Sequence, residues 1–265
     1  MEYFIKLFSV TKQYEKAPGF NLEVLHNISL NLIPDEQQSN VYSILAPFGA
    51  GKSSLLKIIA GLESISSGEM ITGGTSGYKP DGKIIYLPEK PSSFPWLNVN
   101  ENLKMPEHYS YKKNLVLRKI DEVIELTGLN GYENHFPHPD SKGFRLRISI
   151  AQALRFFPKL IILDDSLKAL DSITRKEIYR LLLDLKENKI VSFIIGTTNL
   201  LEAVQISDSI FLMKKNPGEI IDNIIIDRAK IDSADFKLND YVNSVRQKIE
   251  SVFYKFGEIS TINLS

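Results

Sequence analysis

One short segment constrains this chain more than any other. Val41-Tyr42-Ser43-Ile44-Leu45 runs directly into Ala46-Pro47-Phe48-Gly49-Ala50-Gly51-Lys52-Ser53-Ser54. The first five residues have the length and apolar character of a buried strand, and Leu55, Leu56, Ile59 and Ala60 recur at helical spacing until Gly61. Strand, glycine-bearing turn and helix in that order compare with the pattern G-x-x-x-x-G-K-[ST], with Ala46 in place of the first glycine. An alanine is acceptable there only if its φ is negative. In such a loop the backbone N–H groups and the helix N-terminus cradle phosphate oxygens. Lys52 would reach the β- and γ-phosphates and the Ser53 hydroxyl would ligate Mg²⁺. The complementary carboxylate belongs at the end of a neighbouring strand, and Leu160-Ile161-Ile162-Leu163-Asp164 supplies it. Asp164 would hold the Mg²⁺ through water, with Asp165 beside it facing the γ-phosphate.

The rest of the chain alternates strand-length apolar runs with amphipathic stretches, the pattern of a mostly parallel sheet covered by helices. We expect strands at Lys83 to Leu87, after an Asp81-Gly82 turn, and at Ile190 to Ile195, and a closing hairpin of Ser209 to Met213 and Glu219 to Ile226 around Pro217-Gly218. Helices are expected where Val116, Ile120, Val123 and Ile124 recur before Gly128, from Ser172 as N-cap to Leu185, and around Leu200 to Val204. Val242, Val245, Ile249, Val252, Phe253 and Phe256 predict an amphipathic C-terminal helix packing on its own domain. The 265 residues suit one large domain, or one with an appendage. With 32 basic and 32 acidic residues there is no global basic footprint for nucleic acid, and none is expected as a partner. No cysteine means no disulfide frame or thiolate metal site, which favours a cytoplasmic setting. No apolar run approaches the roughly 18–20 residues of a bilayer span. His26, His108, His135 and His138 lack the paired spacing of a zinc site.

On these motifs the chain resembles the nucleotide-binding subunit of ATP-binding cassette (ABC) transporters, from about Tyr3 to Ile226. Leu87-Pro88-Glu89 through Phe94-Pro95-Trp96-Leu97-Asn98-Val99-Asn100-Glu101-Asn102-Leu103 is similar to that family's Gln-loop and following Leu-Pro-Trp-Leu-Thr run, as in importers of the nitrate, sulfonate and taurine type. The segment from Phe136 to Leu154 looks like the signature and its helix, with Ser141, Lys142 and Gly143 facing the nucleotide of an opposite subunit. Ala169-Leu170-Asp171 matches the D-loop, which places Asp171 at a dimer contact, and Thr197-Thr198-Asn199 occupies the switch region. Tyr14 falls where the family stacks an aromatic ring on adenine. The resemblance implies a P-loop NTPase (RecA-like) α/β fold: a parallel-sheet core, an antiparallel β lobe and a helical lobe inserted over about 91–154. It implies a nucleotide-binding domain at 1–226 with a helical extension at 227–265. It also implies nucleotide contacts from Tyr14, Phe48, Gly49, Ala50, Gly51, Lys52, Ser53 and Ser54, and Mg²⁺ ligands from Ser53, Glu89 and Asp164.

Departures fall on the chemical positions. Glu89 stands for the family's Gln, Asp165 for the Glu that polarises the attacking water, Thr198 for the switch His, and Lys142 for a Gly of Leu-Ser-Gly-Gly-Gln. Asp165 is one methylene shorter, and a misplacement of about 1 Å can cost about 10²-fold where positioning carries the rate. The resemblance therefore implies a Mg-ATP-binding importer subunit, peripheral on the inner membrane face. It would dimerise with itself or a second nucleotide-binding subunit and couple through the groove from Glu89 to Trp96 to a transmembrane permease, with slow or partner-dependent hydrolysis. A non-catalytic regulatory or scaffolding subunit is the alternative, distinguished by turnover at background. A soluble cassette protein of DNA repair or translation would need a long coiled-coil insertion or a tandem cassette. Arg145 and Arg147 read as a solvated face of the signature helix.

Overall fold

The computed structural model describes residues 5–32, 39–73, 75–76, 83–109, 116–231, 239–258 and 262–263. Its first half holds strands β1 (Ile5–Ala17), β2 (Phe20–Leu32) and β3 (Val41–Leu45), helix α1 (Lys52–Ile59), strands β4 (Ser67–Thr72), β5 (Thr75–Ser76) and β6 (Ile84–Leu87), and helices α2 (Val99–Tyr109) and α3 (Ile120–Thr127). There follow α4 (Lys142–Leu154), β7 (Leu160–Asp164), α5 (Ser172–Glu187), β8 (Ser192–Thr197), α6 (Leu200–Ile206), β9 (Ser209–Lys214), β10 (Glu219–Ile225), a 3-10 turn at Arg228–Lys230 and α7 (Asp240–Lys255). The chain divides into two compact units, one of residues 1–79 with 194–265 and the other of residues 80–193.

In the first unit β1 pairs antiparallel with β2 and with β4, in the order β2-β1-β4-β5. A second set of strands runs β10-β9-β3-β8, with β3 parallel to β9 from Tyr42 opposite Ser209 to Leu45 opposite Leu212. Every residue of β3 is buried, as a parallel strand covered on both faces requires. The expected hairpin is present, β9 pairing antiparallel with β10 around Pro217-Gly218. Helix α7 turns Val242, Val245, Ile249 and Phe253 inward against Leu45, Leu200, Val204, Leu212 and Ile224, so it packs on its own unit. Val252 lies at the edge of that cluster, and Phe256 follows the helix half exposed.

In the second unit β6 and β7 are parallel, Ile84 opposite Leu160 through Leu87 opposite Leu163. Helices α2, α3 and α4 lie between 99 and 154. Three expectations need correction. Val116 is outside α3 and 77% exposed; the helix starts at Ile120 because Lys119 before it is extended, while Gly128 ends it in the left-handed region as expected. The N-cap of α5 is Asp171, not Ser172: its carboxylate accepts from the Ile173 and Thr174 amides, both at 3.0 Å. Strand β8 begins two residues after Ile190, whose amide donates to Leu185 O at 2.9 Å and so belongs to the end of α5. The Asp81-Gly82 turn lies outside the described residues. Among the described residues no helix is long and apolar enough to cross a membrane.

Candidate functional site

The first unit carries the phosphate loop. Ala46 is buried at negative φ and donates its amide to Thr197 O at 3.2 Å, so alanine meets the condition set for that position. Gly51 caps α1 at φ 87 with no side chain over the helix N-terminus, the end whose dipole favours an anion. A Cβ on Gly51 would come within 2.8 Å of Val24 Cγ1 and 2.9 Å of Leu25 Cδ2, so β2 braces the loop from behind. Gly218 of the β9–β10 turn approaches more closely still: its Cβ would lie 2.2 Å from Ala50 O. That glycine is a structural part of the loop that the sequence showed only as a turn. Lys52 is buried, and its stem crosses Gly196, where a Cβ would meet Lys52 Cδ at 3.1 Å. Phe48 stands 83% exposed at the loop tip, Gly49 beside it at φ 81, while Ala50 is buried and Ser53 and Ser54 are half-buried in the first turn of α1. The uncapped amides, the two left-handed glycines and a Ser hydroxyl in the first helical turn fit a polyphosphate with Mg²⁺.

Tyr14 lies half-buried in the same unit, on β1. Its hydroxyl is 3.0 Å from Ser54 Oγ and hydrogen-bonds the Glu63 carboxylate. Burial first, and then Glu63, push its pKa above the ordinary phenol value.

Thr198, expected in the switch region, follows β8, and its carbonyl accepts the Asn263 amide at 3.0 Å, while Leu200 donates back to Asn263 O at 2.9 Å. This short parallel bridge joins the switch to a segment near the far end of the chain, with Ile262 buried beside it.

The second unit carries the carboxylates. Asp164 ends β7 buried, and its Oδ2 accepts the Tyr86 hydroxyl at 2.7 Å. Asp165 is half-buried at φ 50, a conformation that Asp adopts more readily than most side chains. Glu89 is exposed just past β6, where Ser166 Oγ donates toward Leu87 O and Pro88 O. The segment that follows is ordered by Asn102, whose side chain bonds Phe94 N at 2.8 Å and Leu97 O at 2.8 Å, leaving Trp96 68% exposed beside Phe94.

Ser141 and Lys142 are exposed at the start of α4. Gly143 is buried where a Cβ would lie 2.0 Å from Thr174 Cγ2 of α5. Ser141, Lys142, Gly143, Leu170 and Asp171 line one open pocket of about 840 Å³, so the residues expected to form the signature and the D-loop share a concavity within this unit. Asp171 is held below the usual carboxylate range by the Thr174 hydroxyl and then its amide. The arginines of α4 are not a solvated face: Arg145 donates to Pro91 O and Ser93 O at 3.2 and 2.8 Å, and Arg147 to Thr127 O at 2.8 Å. They tie the signature helix to the loop after β6 and to the end of α3.

Residues 25–168 match the family described as ABC transporter. An aliphatic sulfonates import ATP-binding protein of Bacillus cereus is 33% identical over 97% of this chain and 98% of its own. The dimeric structure of MJ0796, a bacterial ABC transporter cassette, superposes with a TM-score of 0.69 at 27% identity, covering 84% of this chain and 99% of that one. A post-hydrolysis dimer of the same cassette, bound to ADP and Pi, gives a TM-score of 0.67 over the same shares at 27% identity.

Proposed function

This chain belongs to the ABC transporter family, and from that premise we propose that it energises uptake of an organic sulfonate by binding Mg-ATP tightly and hydrolysing it slowly unless a partner is present. It is the ATP-binding subunit of an importer, uses ATP with Mg²⁺, and works with a second nucleotide-binding subunit and a transmembrane permease. The cargo class is carried over from the sulfonate-importing relative, and the place of work, peripheral on the cytoplasmic face of the membrane, from the role of such subunits. We read 1–226 as the nucleotide-binding domain and 227–265 as an extension whose helix α7 is packed into it.

The observation that carries this reading is a braced phosphate loop combined with altered chemical positions. Lys52 takes the β- and γ-phosphates on its ammonium, the amides that open α1 take phosphate oxygens, and Tyr14 takes the adenine on its ring. Phe48, Gly49, Ala50 and Ser54 shape the rest of that cradle. Ser53, Asp164 and Glu89 hold the Mg²⁺, which supplies charge neutralisation at the phosphates when bound. Asp165 orients the attacking water with a carboxylate one methylene short, and Thr198 offers a hydroxyl where the family has an imidazole. Ser141, Lys142 and Gly143 face the nucleotide of the opposite subunit, and Asp171 lies at the dimer contact. Lys142 brings a cation where the family brings bare backbone.

Calorimetric titration with Mg-ATP alongside phosphate release, on wild type and Lys52→Ala, tests the reading. Binding that Lys52→Ala abolishes, with turnover near background that rises when the membrane subunit is added, is the expected result. Absence of binding in the wild type refutes it and leaves a scaffold. Fast turnover by the isolated subunit refutes the slow-hydrolysis part alone.

A further inference from the structure

We propose that Glu63 and Lys12 are positioning residues for the nucleotide base: with Ser54 they hold Tyr14 as a one-sided stacking platform keyed to the helix behind the phosphate loop. The inference rests on the assignment of Tyr14 to the adenine. Ser54 sits in the first turn of α1, two residues after Lys52, and its Oγ is 3.0 Å from the Tyr14 hydroxyl. Glu63 follows the other end of the same helix and hydrogen-bonds the same hydroxyl, with its second oxygen 3.4 Å from Lys57 Nζ in the last turn of α1. One phenolic proton cannot serve both partners, so the carboxylate takes it and the serine hydroxyl donates back to the phenolic oxygen. Both ends of α1 are thereby fastened to one atom of the ring.

Lys12 fixes which face of the ring is open. Its Nζ lies 4.7 Å from the Tyr14 centroid, within the distance at which a cation is drawn to a π face, and 2.7 Å from Ser64 O, which anchors it there. With Lys12 over one face, the base is assigned to the opposite face. The segment carrying Glu63 is fixed against β1 by Gln13 N to Ser66 Oγ and Ser66 N to Thr11 O, both 2.9 Å. The raised pKa of the Tyr14 hydroxyl keeps it protonated, and hence a donor to Glu63, across the working pH range. A platform set before the ligand arrives removes an ordering cost from binding, and fastening it to α1 makes base and phosphates register together.

The test compares Mg-ATP with Mg-tripolyphosphate, which lacks the base, by calorimetry on the full chain. Glu63→Ala is expected to weaken ATP about 3- to 10-fold, the range for one lost hydrogen bond, while tripolyphosphate changes less than about twofold. Glu63→Gln, which retains an acceptor oxygen, recovers most of the loss. In a Tyr14→Phe background Glu63→Ala has no further effect, since the hydroxyl it acts through is gone. Lys12→Met lowers ATP affinity about 2- to 5-fold, again sparing tripolyphosphate. Equal losses for both ligands, or an undiminished Glu63→Ala effect in the Tyr14→Phe background, overturn the proposal. Tyr14→Ala separates it from its premise: an unchanged ATP-to-tripolyphosphate ratio refutes the stacking role itself. A reduced ratio alongside inert Glu63 and Lys12 variants leaves stacking standing and refutes the clamp.

Discussion

Replacing Gly143 by alanine tests a close contact between α4 and α5 in the second unit. The added Cβ would lie 2.0 Å from Thr174 Cγ2, whereas carbon atoms rest at about 3.5–4.0 Å, so no adjustment of a few tenths of an ångström relieves it. Overpacking of this kind costs about 1–3 kcal/mol, and the better helix propensity of alanine returns at most about 1 kcal/mol. The net loss of up to about 2 kcal/mol, at about 2–4 °C per kcal/mol for a chain of this size, should lower the thermal midpoint by up to about 8 °C. The next neighbours of that Cβ are Thr174 Cβ at 3.5 Å and Leu170 Cδ2 at 3.9 Å, both ordinary contacts, so one methyl is the whole obstacle. Thr174→Ser deletes that methyl and keeps the hydroxyl and amide that bond Asp171. Thermal and urea unfolding of the four proteins then give a cycle with a decisive sign: Gly143→Ala destabilises the wild type but is neutral or stabilising in Thr174→Ser. An equal loss in both backgrounds would refute the contact as the cause.

Gly218→Ala places a Cβ 2.2 Å from a backbone oxygen of the phosphate loop, which no rotamer change relieves; reduced Mg-ATP affinity and a lower thermal midpoint are expected together in calorimetry and melting. Asp165→Glu restores the family's reach and should raise steady-state phosphate release by up to about 100-fold, at some loss of stability because φ 50 suits Asp better than Glu; unchanged turnover with intact Mg-ATP binding would show that reach is not what limits the rate. Asp171 has its folded pKa lowered by Thr174, so its cap contributes fully above the unfolded carboxylate pKa of about 4 and is lost as pH falls through the lower folded value. The stability gap between wild type and Asp171→Ala in urea titrations should therefore be constant near neutrality and close progressively on acidification below about pH 5.

Where information was local, the sequence disclosed it. Strand β3 has the bounds read from its apolar run, because a parallel strand buried on both faces writes its burial into consecutive residues. Gly128 ends α3 and the Pro217-Gly218 turn closes the hairpin for equally local reasons of backbone conformation. What escaped was set by backbone geometry that spacing does not encode, or by segments far away in the chain. Val116 matched the period of α3 yet lies outside it, since spacing identifies a face but not where the backbone leaves the helix. Asp171 and Ser172 are both good caps, and only the backbone geometry chooses between them. Arg145 could not be told from a surface residue without Pro91 and Ser93, more than 50 positions earlier, against it. The phosphate loop itself was legible as a motif, but its bracing by Val24, Leu25 and Gly218 was not, because a close approach leaves no trace in spacing.

The bridge between Asn199 and Asn263 bears on the order in which the protein can be finished at the ribosome. Strand β3 and its loop are synthesised early, yet β3 lies between β8 and β9, which follow more than 140 residues later. Ala46 donates its amide to the carbonyl of Thr197, and the residue after that threonine waits in turn for Asn263. Domains fold largely as units during synthesis. Here the nucleotide cradle belongs to a unit that stays open until the distal quarter of the chain has emerged, so a nascent chain should gain nucleotide-dependent protease resistance late and abruptly, not in step with its length.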